Sequence, residues 1–244
     1  LEDFHLENAP IVEALIEIKL AEPLQQDSLG FLQDCAASLA SRYPLRDPLM
    51  LQQFQFQAGV QPQVPPAPIQ MGFLCKDAGP HRVVHLKLDG FGLSELKPYS
   101  SWEEFFPEAR RIWNEYRQAV GGAPSGSWSI RYINQISWPE GERMEDFLYV
   151  YPNVPDNMPR TLTNCFMRLQ SLIGEPSEGS FTQQIFQVMS AEVGKVSFIV
   201  DHTFVYSAIG LTDSELWRRI QQAQLVKNKY FQSTFTPRAM EMFG

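Results

Sequence analysis

Arg131-Tyr132-Ile133-Asn134-Gln135 is the most chemically loaded run in the chain. Read as a strand, it sends Tyr132 and Asn134 to one face and Arg131, Ile133 and Gln135 to the other, because successive side chains alternate. Trp128 and Ile130 share the parity of Tyr132, so that face turns toward a core and Asn134 becomes a buried amide in need of hydrogen-bond partners. Two roles fit. Asn134 pins the strand as a structural amide, or it lines a cleft with Tyr132 while Arg131 orients an anion on the opposite rim.

His202 is the second chemical candidate. Its neighbour Asp201 points to the opposite face of any regular strand, so the two cannot form a dyad. Acid/base work by His202 would need a carboxylate from elsewhere, and the sequence identifies none. Val200, Phe204 and Tyr206 share its side, which reads as a partly buried histidine bonded to a neighbour. The candidate ligand-binding residues are therefore Arg131, Tyr132, Asn134, His202 and Tyr206, and no residue is assigned a catalytic role. Lys87 and Asp89 have the same parity and read as a surface ion pair.

Cys35, Cys75 and Cys165 are far apart, as are His5, His81, His85 and His202. A structural zinc site wants about four ligands, usually in pairs along the chain, so no metal is expected. The sequence has no nucleophile elbow, phosphate-cradling glycine run or zinc-protease motif, and no cofactor is expected. The cysteines read as reduced thiols.

Lysine and arginine total 20 against 28 acidic residues, a net charge of −8, which disfavours a general polyanion binder. Only the last helix, with Arg218, Arg219, Lys227 and Lys229, has a run of positive charge that could meet an acidic partner or RNA. No apolar run approaches the roughly 20 residues needed to span a bilayer, so no membrane role is expected. The opening LEDFHLENAP lacks a basic region followed by an apolar stretch, and the expected address is the cytoplasm.

The elements that must position these residues follow from periodicity. Pro10–Leu20 alternates apolar and charged residues as a half-buried strand, and Leu29, Leu32, Ala36 and Leu39 recur at helical spacing before Pro44. Leu51–Ala58 reads as a strand with Phe54 and Phe56 packed under helices and Gln53, Gln55 and Gln57 facing a groove or an interface. Strands are expected over Gln70–Lys76 and Arg82–Glu95, the second bulged or bent at Gly90 and Gly92. Ser101-Trp-Glu-Glu104 is a capping-box pattern opening a helix to about Val120, with Trp102, Phe105, Phe106, Ala109, Ile112, Trp113 and Tyr116 as its apolar stripe. The glycine-rich break Gly121–Ser127 divides a first half, residues 1–122, from a second, 123–244.

The second half reads as a strand over Trp128–Trp138, a short helix over Arg143–Tyr149, and strands over Thr161–Ile173, Phe181–Met189 and Lys195–Ala208. A second capping box, Thr212-Asp-Ser-Glu215, opens a helix to about Phe231, followed by a loosely docked tail. Each half is thus strand, helix, three strands, helix. Tyr43-Pro44 is echoed by Tyr151-Pro152, Asp89 by Asp201, and Ser101 and Glu104 by Thr212 and Glu215, at spacings of 108 to 112 residues.

This predicts an α+β fold: a mostly antiparallel sheet of about eight strands with long helices on one face, built by internal pseudo-duplication. Edge-to-edge joining would make one continuous sheet and hide two edges. In element order it resembles the saddle-like sheets of the TATA-binding-protein type and the helix-grip proteins that hold a small ligand between sheet and helix. An unduplicated α+β domain with two similarly capped helices is the alternative.

PIVEALIEI (Pro10–Ile18), SRYP (Ser41–Pro44), RYINQI (Arg131–Ile136) and the strand ending at Asp201–Tyr206 carry a further likeness. Through its NAPIVEA-type N-terminal segment and central RYxNxI segment, the chain resembles a sporadically distributed family of uncharacterised bacterial proteins of this length. The likeness draws attention to Arg131, Tyr132 and Asn134 and implies no activity. The expected function is a non-enzymatic module that binds a protein partner or a small molecule, with a homodimer among the possible assemblies. The alternatives are a hydrolase-like enzyme with His202 as acid/base and a nucleic-acid-associated protein.

Overall fold

The computed structural model describes residues 6, 8–52, 67–79, 81–155, 157–158, 164–174 and 178–244. Nine strands form one sheet: β1 (Ile11–Leu20), β2 (Leu45–Leu51), β3 (Ile69–Lys76), β4 (Arg82–Lys87), β5 (Gly90–Leu96), β6 (Ser125–Pro139), β7 (Phe166–Ile173), β8 (Gly179–Val188) and β9 (Lys195–Ser207). Their order across the sheet is β2-β3-β4-β5-β1-β6-β9-β8-β7, and every adjacent pair is antiparallel. Outward from the β1–β6 seam, each half places its first strand, then its last, then the preceding ones. That is consistent with two similar halves fused edge to edge, Ile16 opposite Ile130 at the seam.

The helices α1 (Leu29–Ser38), α2 (Trp102–Ala119) and α3 (Asp213–Gln232) cover one face, and the short α4 (Pro237–Glu241) ends the chain. Local sequence explains where the long ones begin. Ser101 caps α2 by accepting a hydrogen bond from the Glu104 backbone, and Thr212 and Glu215 form a complete capping box on α3. Trp102, Phe105, Ala109, Ile112, Trp113 and Tyr116 of α2 are all buried. Beneath the helices lie Ala14, Ile16 and Ile18 of β1 and Trp128, Ile130 and Tyr132 of β6, the alternate residues that a pleated strand sends to one side. The Trp113 indole N–H donates to Asp213 at 2.8 Å, and Phe106 meets Trp217 edge-on, so α2 and α3 lie against each other.

Several expectations need correction. Arg82–Glu95 is a hairpin rather than one bent strand, with Leu88 and Asp89 at its turn. Gly90 is needed because a Cβ there would stand 2.3 Å from the Ile18 carbonyl oxygen of β1. β2 lies at Leu45–Leu51; of the expected strand Leu51–Ala58, Phe54, Phe56 and the glutamines Gln53, Gln55 and Gln57 fall outside the described residues. Arg143–Tyr149 is no helix beyond the single 3-10 turn Met144–Asp146. Asp89 and Asp201 are not counterparts, since the strand matching β9 in position is β5 and Asp89 sits in the turn before it. The tail is firmly held: Ala239 and Phe243 are buried in a second cluster with Trp138, Phe147, Phe198 and Phe235. None of the described helices is long and apolar enough to cross a membrane.

Candidate functional site

Alternation sorts the candidate residues into three places. Tyr132, Asn134 and His202 face the helices; Tyr132 and His202 are directly opposite one another on β6 and β9. All three are buried. Arg131, one residue away, is on the face that carries no helix. Tyr206 shares the inner face but sits at the far end of β9.

The inner group forms a polar layer within the core. The His202 imidazole meets the Gln183 amide of β8 at 3.0 Å and the Thr234 hydroxyl at 3.3 Å, with Phe181 against its ring. Thr234 donates to the Tyr230 carbonyl and accepts from Gln183, so the amide hydrogens of Gln183 point at an unprotonated Nε2. A charged imidazole would set donor against donor there. Burial foremost, with the Lys227 cation adding to it, lowers the His202 pKa to about 4, against a partial offset from Asp201. His202 is a neutral acceptor bonded to the Gln183 amide, the Thr234 hydroxyl standing alongside with its own hydrogen given to Tyr230, and no carboxylate is hydrogen-bonded to His202 among the described residues.

Beside it, Asn134 donates to the Val200 carbonyl at 3.2 Å, but its Oδ1 is buried without a partner. The Tyr132 and Tyr99 hydroxyls are buried and have no close hydrogen-bond partner. The two rings meet edge-on with centroids 6.0 Å apart, and a long hydrogen bond between the hydroxyls lets each act on the other's ionisation. Trp102, which packs on the same Phe105 ring as Tyr99, has an unpartnered indole N–H. Lys227 of α3 reaches into this layer and holds its amine 4.2 Å from the Tyr132 ring centroid. Lys227 as a residue is half-buried, but its amine is desolvated, which lowers the pKa to about 8 against a small opposing pull from Glu103. The amine has no ion pair among the described residues.

Lys227 and Gln183 were the residues missed. The signal for Lys227 was present: Leu216, Ile220, Ala223 and Lys227 recur at intervals of three and four, the spacing of one helix face. Charge alone places Lys227 in the basic run of the last helix that could meet an acidic partner or RNA.

On the open face, the Arg131 guanidinium grips Asp201 with two nitrogens, Nε to Oδ1 at 2.9 Å and a terminal nitrogen to Oδ2 at 2.6 Å. Asp201 is 1% exposed and also receives Gln184 and Thr203. Arg131 is thus committed to a carboxylate of its own chain and is not brought to Tyr132 and Asn134. Lys87 bonds Glu17 and lies 3.9 Å from Asp89. Ser94, His85 and Glu13 also meet on this face, but the serine hydroxyl donates to Glu13 at 2.8 Å. His85, 3.3 Å from the same hydroxyl, is left to act as a donor, so it cannot serve as the serine's base.

Tyr206 stacks on Trp128 with centroids 4.4 Å apart and lines a recess of about 400 Å³ with Arg218, Arg219 and Gln222 of α3. A larger recess of about 970 Å³, lined by Trp138, Phe198 and the acidic run Glu140, Glu142 and Glu145, includes none of the candidate residues. No set of three or more histidine, cysteine, aspartate or glutamate side chains could hold a metal among the described residues. The chain matches no model of a known protein family, and no curated protein matches it.

Proposed function

We propose that the protein is a non-enzymatic binding module that takes a small ligand between its sheet and α3. One observation carries this reading: Tyr132 and Asn134, two residues apart on the inner face of β6, each bury a polar atom without a hydrogen-bond partner, and the Lys227 amine, which has no ion pair among the described residues, stands 4.2 Å from the Tyr132 ring centroid. Orphaned polar groups in a core each cost free energy, and their concentration in one place is explained by a group that satisfies them together. The state of His202 supports binding over hydrolysis, because an acid/base residue would face a carboxylate or a reacting group. The net charge and the acidic residues of the open face speak against a nucleic-acid role. Three free, buried cysteines fit a reducing compartment, and the cytoplasm remains the proposed setting.

Native mass spectrometry of freshly purified protein tests the reading. A retained mass that disappears on denaturation and in Lys227→Met is expected. Bare protein under every gentle condition would count against it. A protein partner is the second reading, favoured by exposed Phe166, Leu169 and Leu172 on the edge strand β7. An elution volume matching a homodimer, reverting to a monomer when Leu172 is replaced by lysine, would support that version.

A further inference from the structure

The ligand's chemistry can be read from what the layer offers. The Lys227 ammonium presents three hydrogens, the Tyr99–Tyr132 hydroxyl pair one beyond the hydrogen it shares internally, and the Trp102 indole another. Against this surplus of donors stands one unsatisfied acceptor that cannot donate, Asn134 Oδ1. A lysine amine set over a core tyrosine ring, with unpartnered donors in the same layer, is completed by an anion, since a buried charge is tolerated when it is paired and hydrogen-bonded. The leftover acceptor asks for a donor on the same ligand.

We infer that the layer binds a small carboxylate that also carries a hydroxyl or amino group, its carboxylate held by Lys227 and the tyrosine hydroxyls and its donor by Asn134. This rests on the small-ligand reading above and names the chemical class within it. The aromatic walls set a limit on size: Tyr99 and Tyr132 meet edge-on, Phe105 closes against Tyr99, and the amine already covers one face of Tyr132.

The charged and titratable groups facing the amine are Glu103 of α2, His202 of β9 and the two tyrosines. Glu103 is exposed and His202 is neutral, so neither supplies the missing counter-charge at contact. The tyrosines are held protonated by burial. Between pH 6 and 9 the group near the site that changes charge is therefore Lys227 itself, whose pKa is about 8. An anion that requires the ammonium must bind with constant affinity below this value. Above it, the affinity must fall by about tenfold for each pH unit.

The test uses the full chain with carbon-13 at the lysine ε position, the Lys227 resonance being assigned by its loss in Lys227→Met. Glycolate, acetate and the neutral glycolamide are the probes. Glycolate is expected to shift the Lys227 signal, to raise its titration midpoint and to bind more tightly than acetate, while glycolamide leaves the signal unmoved. Tyr132→Phe keeps the ring beneath the amine and should weaken glycolate on the order of tenfold. Asn134→Leu should bring glycolate down to the affinity of acetate. Equal binding of glycolamide and glycolate would overturn the carboxylate while leaving the small-ligand reading standing. If no probe moves Lys227 yet a mass is retained in the native spectrum, the ligand belongs to another class. If neither occurs, ordered water fills the layer and the small-ligand reading fails with the inference.

Discussion

His202 ties the chemistry of one side chain to the stability of the whole chain. Its pKa is about 4 in the fold and near 6.5 when free, so between these values the unfolded chain holds the extra proton. Stability is then fully present above about pH 6.5 and falls as the pH drops toward 4, by roughly 3 kcal/mol for a shift of this size. Urea midpoints at pH 7 and pH 4.5 should show this loss, and His202→Gln should shrink it; an equal acid loss in the variant would place the effect elsewhere. Arg131→Met should destabilise the protein on the order of 3 kcal/mol, because it strands the buried Asp201 carboxylate. Arg131→Met with Asp201→Leu should cost less than the single change. Parity along one strand was enough to separate Arg131 from Tyr132 and Asn134, and to put His202 on their side. What it could not supply was the register across strands that sets Asp201 beside Arg131, or the reach of Lys227 from a helix far along the chain.

Among the elements, what was local was legible. The caps of α2 and α3 need only residues three apart, and both form where Ser101 and Thr212 stand. Thr212→Ala should cost about 1 kcal/mol, measured as a lower denaturant midpoint with unchanged cooperativity. The β4–β5 hairpin was not recognised because apolar residues continue on both sides of the two-residue turn. The Asp89-Gly90 dipeptide is the signal that would have marked it. Gly90→Ala is expected to destabilise by more than about 2 kcal/mol, since the obstacle to its new methyl is the backbone of β1 and not a side chain that can swing away. β2 was missed because it is an edge strand with Pro48 inside it and little burial to write an alternating pattern.

For the molecule as a whole, a shared outline of the two halves was visible, although the order strand, helix, three strands, helix holds in neither: four strands separate α1 from α2, and the second half has only a 3-10 turn after its first strand. Element sequence is fixed by local pattern, whereas the match of β9 to β5 exists only in the sheet. The β1–β6 seam makes each half the cover for the other's first strand. Residues 1–122 alone would leave β1 as an unpaired edge with Ala14, Ile16 and Ile18 beside it. Light scattering of that fragment should therefore report self-association, and a stable monomer with full helix content would contradict the seam's role.

β6 is paired with β9 along thirteen positions and with β1 on its other side, while β2 and β7 each have a neighbour on one side only among the described residues. Opening the seam requires the helices to lift and both halves to part, whereas a border strand can peel away by itself. Deuterium uptake should consequently be graded across the molecule, fastest in the amides of β2 and β7 and slowest in β1 and β6. The polar layer under α3 lies on that slowest strand, so its geometry is carried by the last part of the protein to breathe.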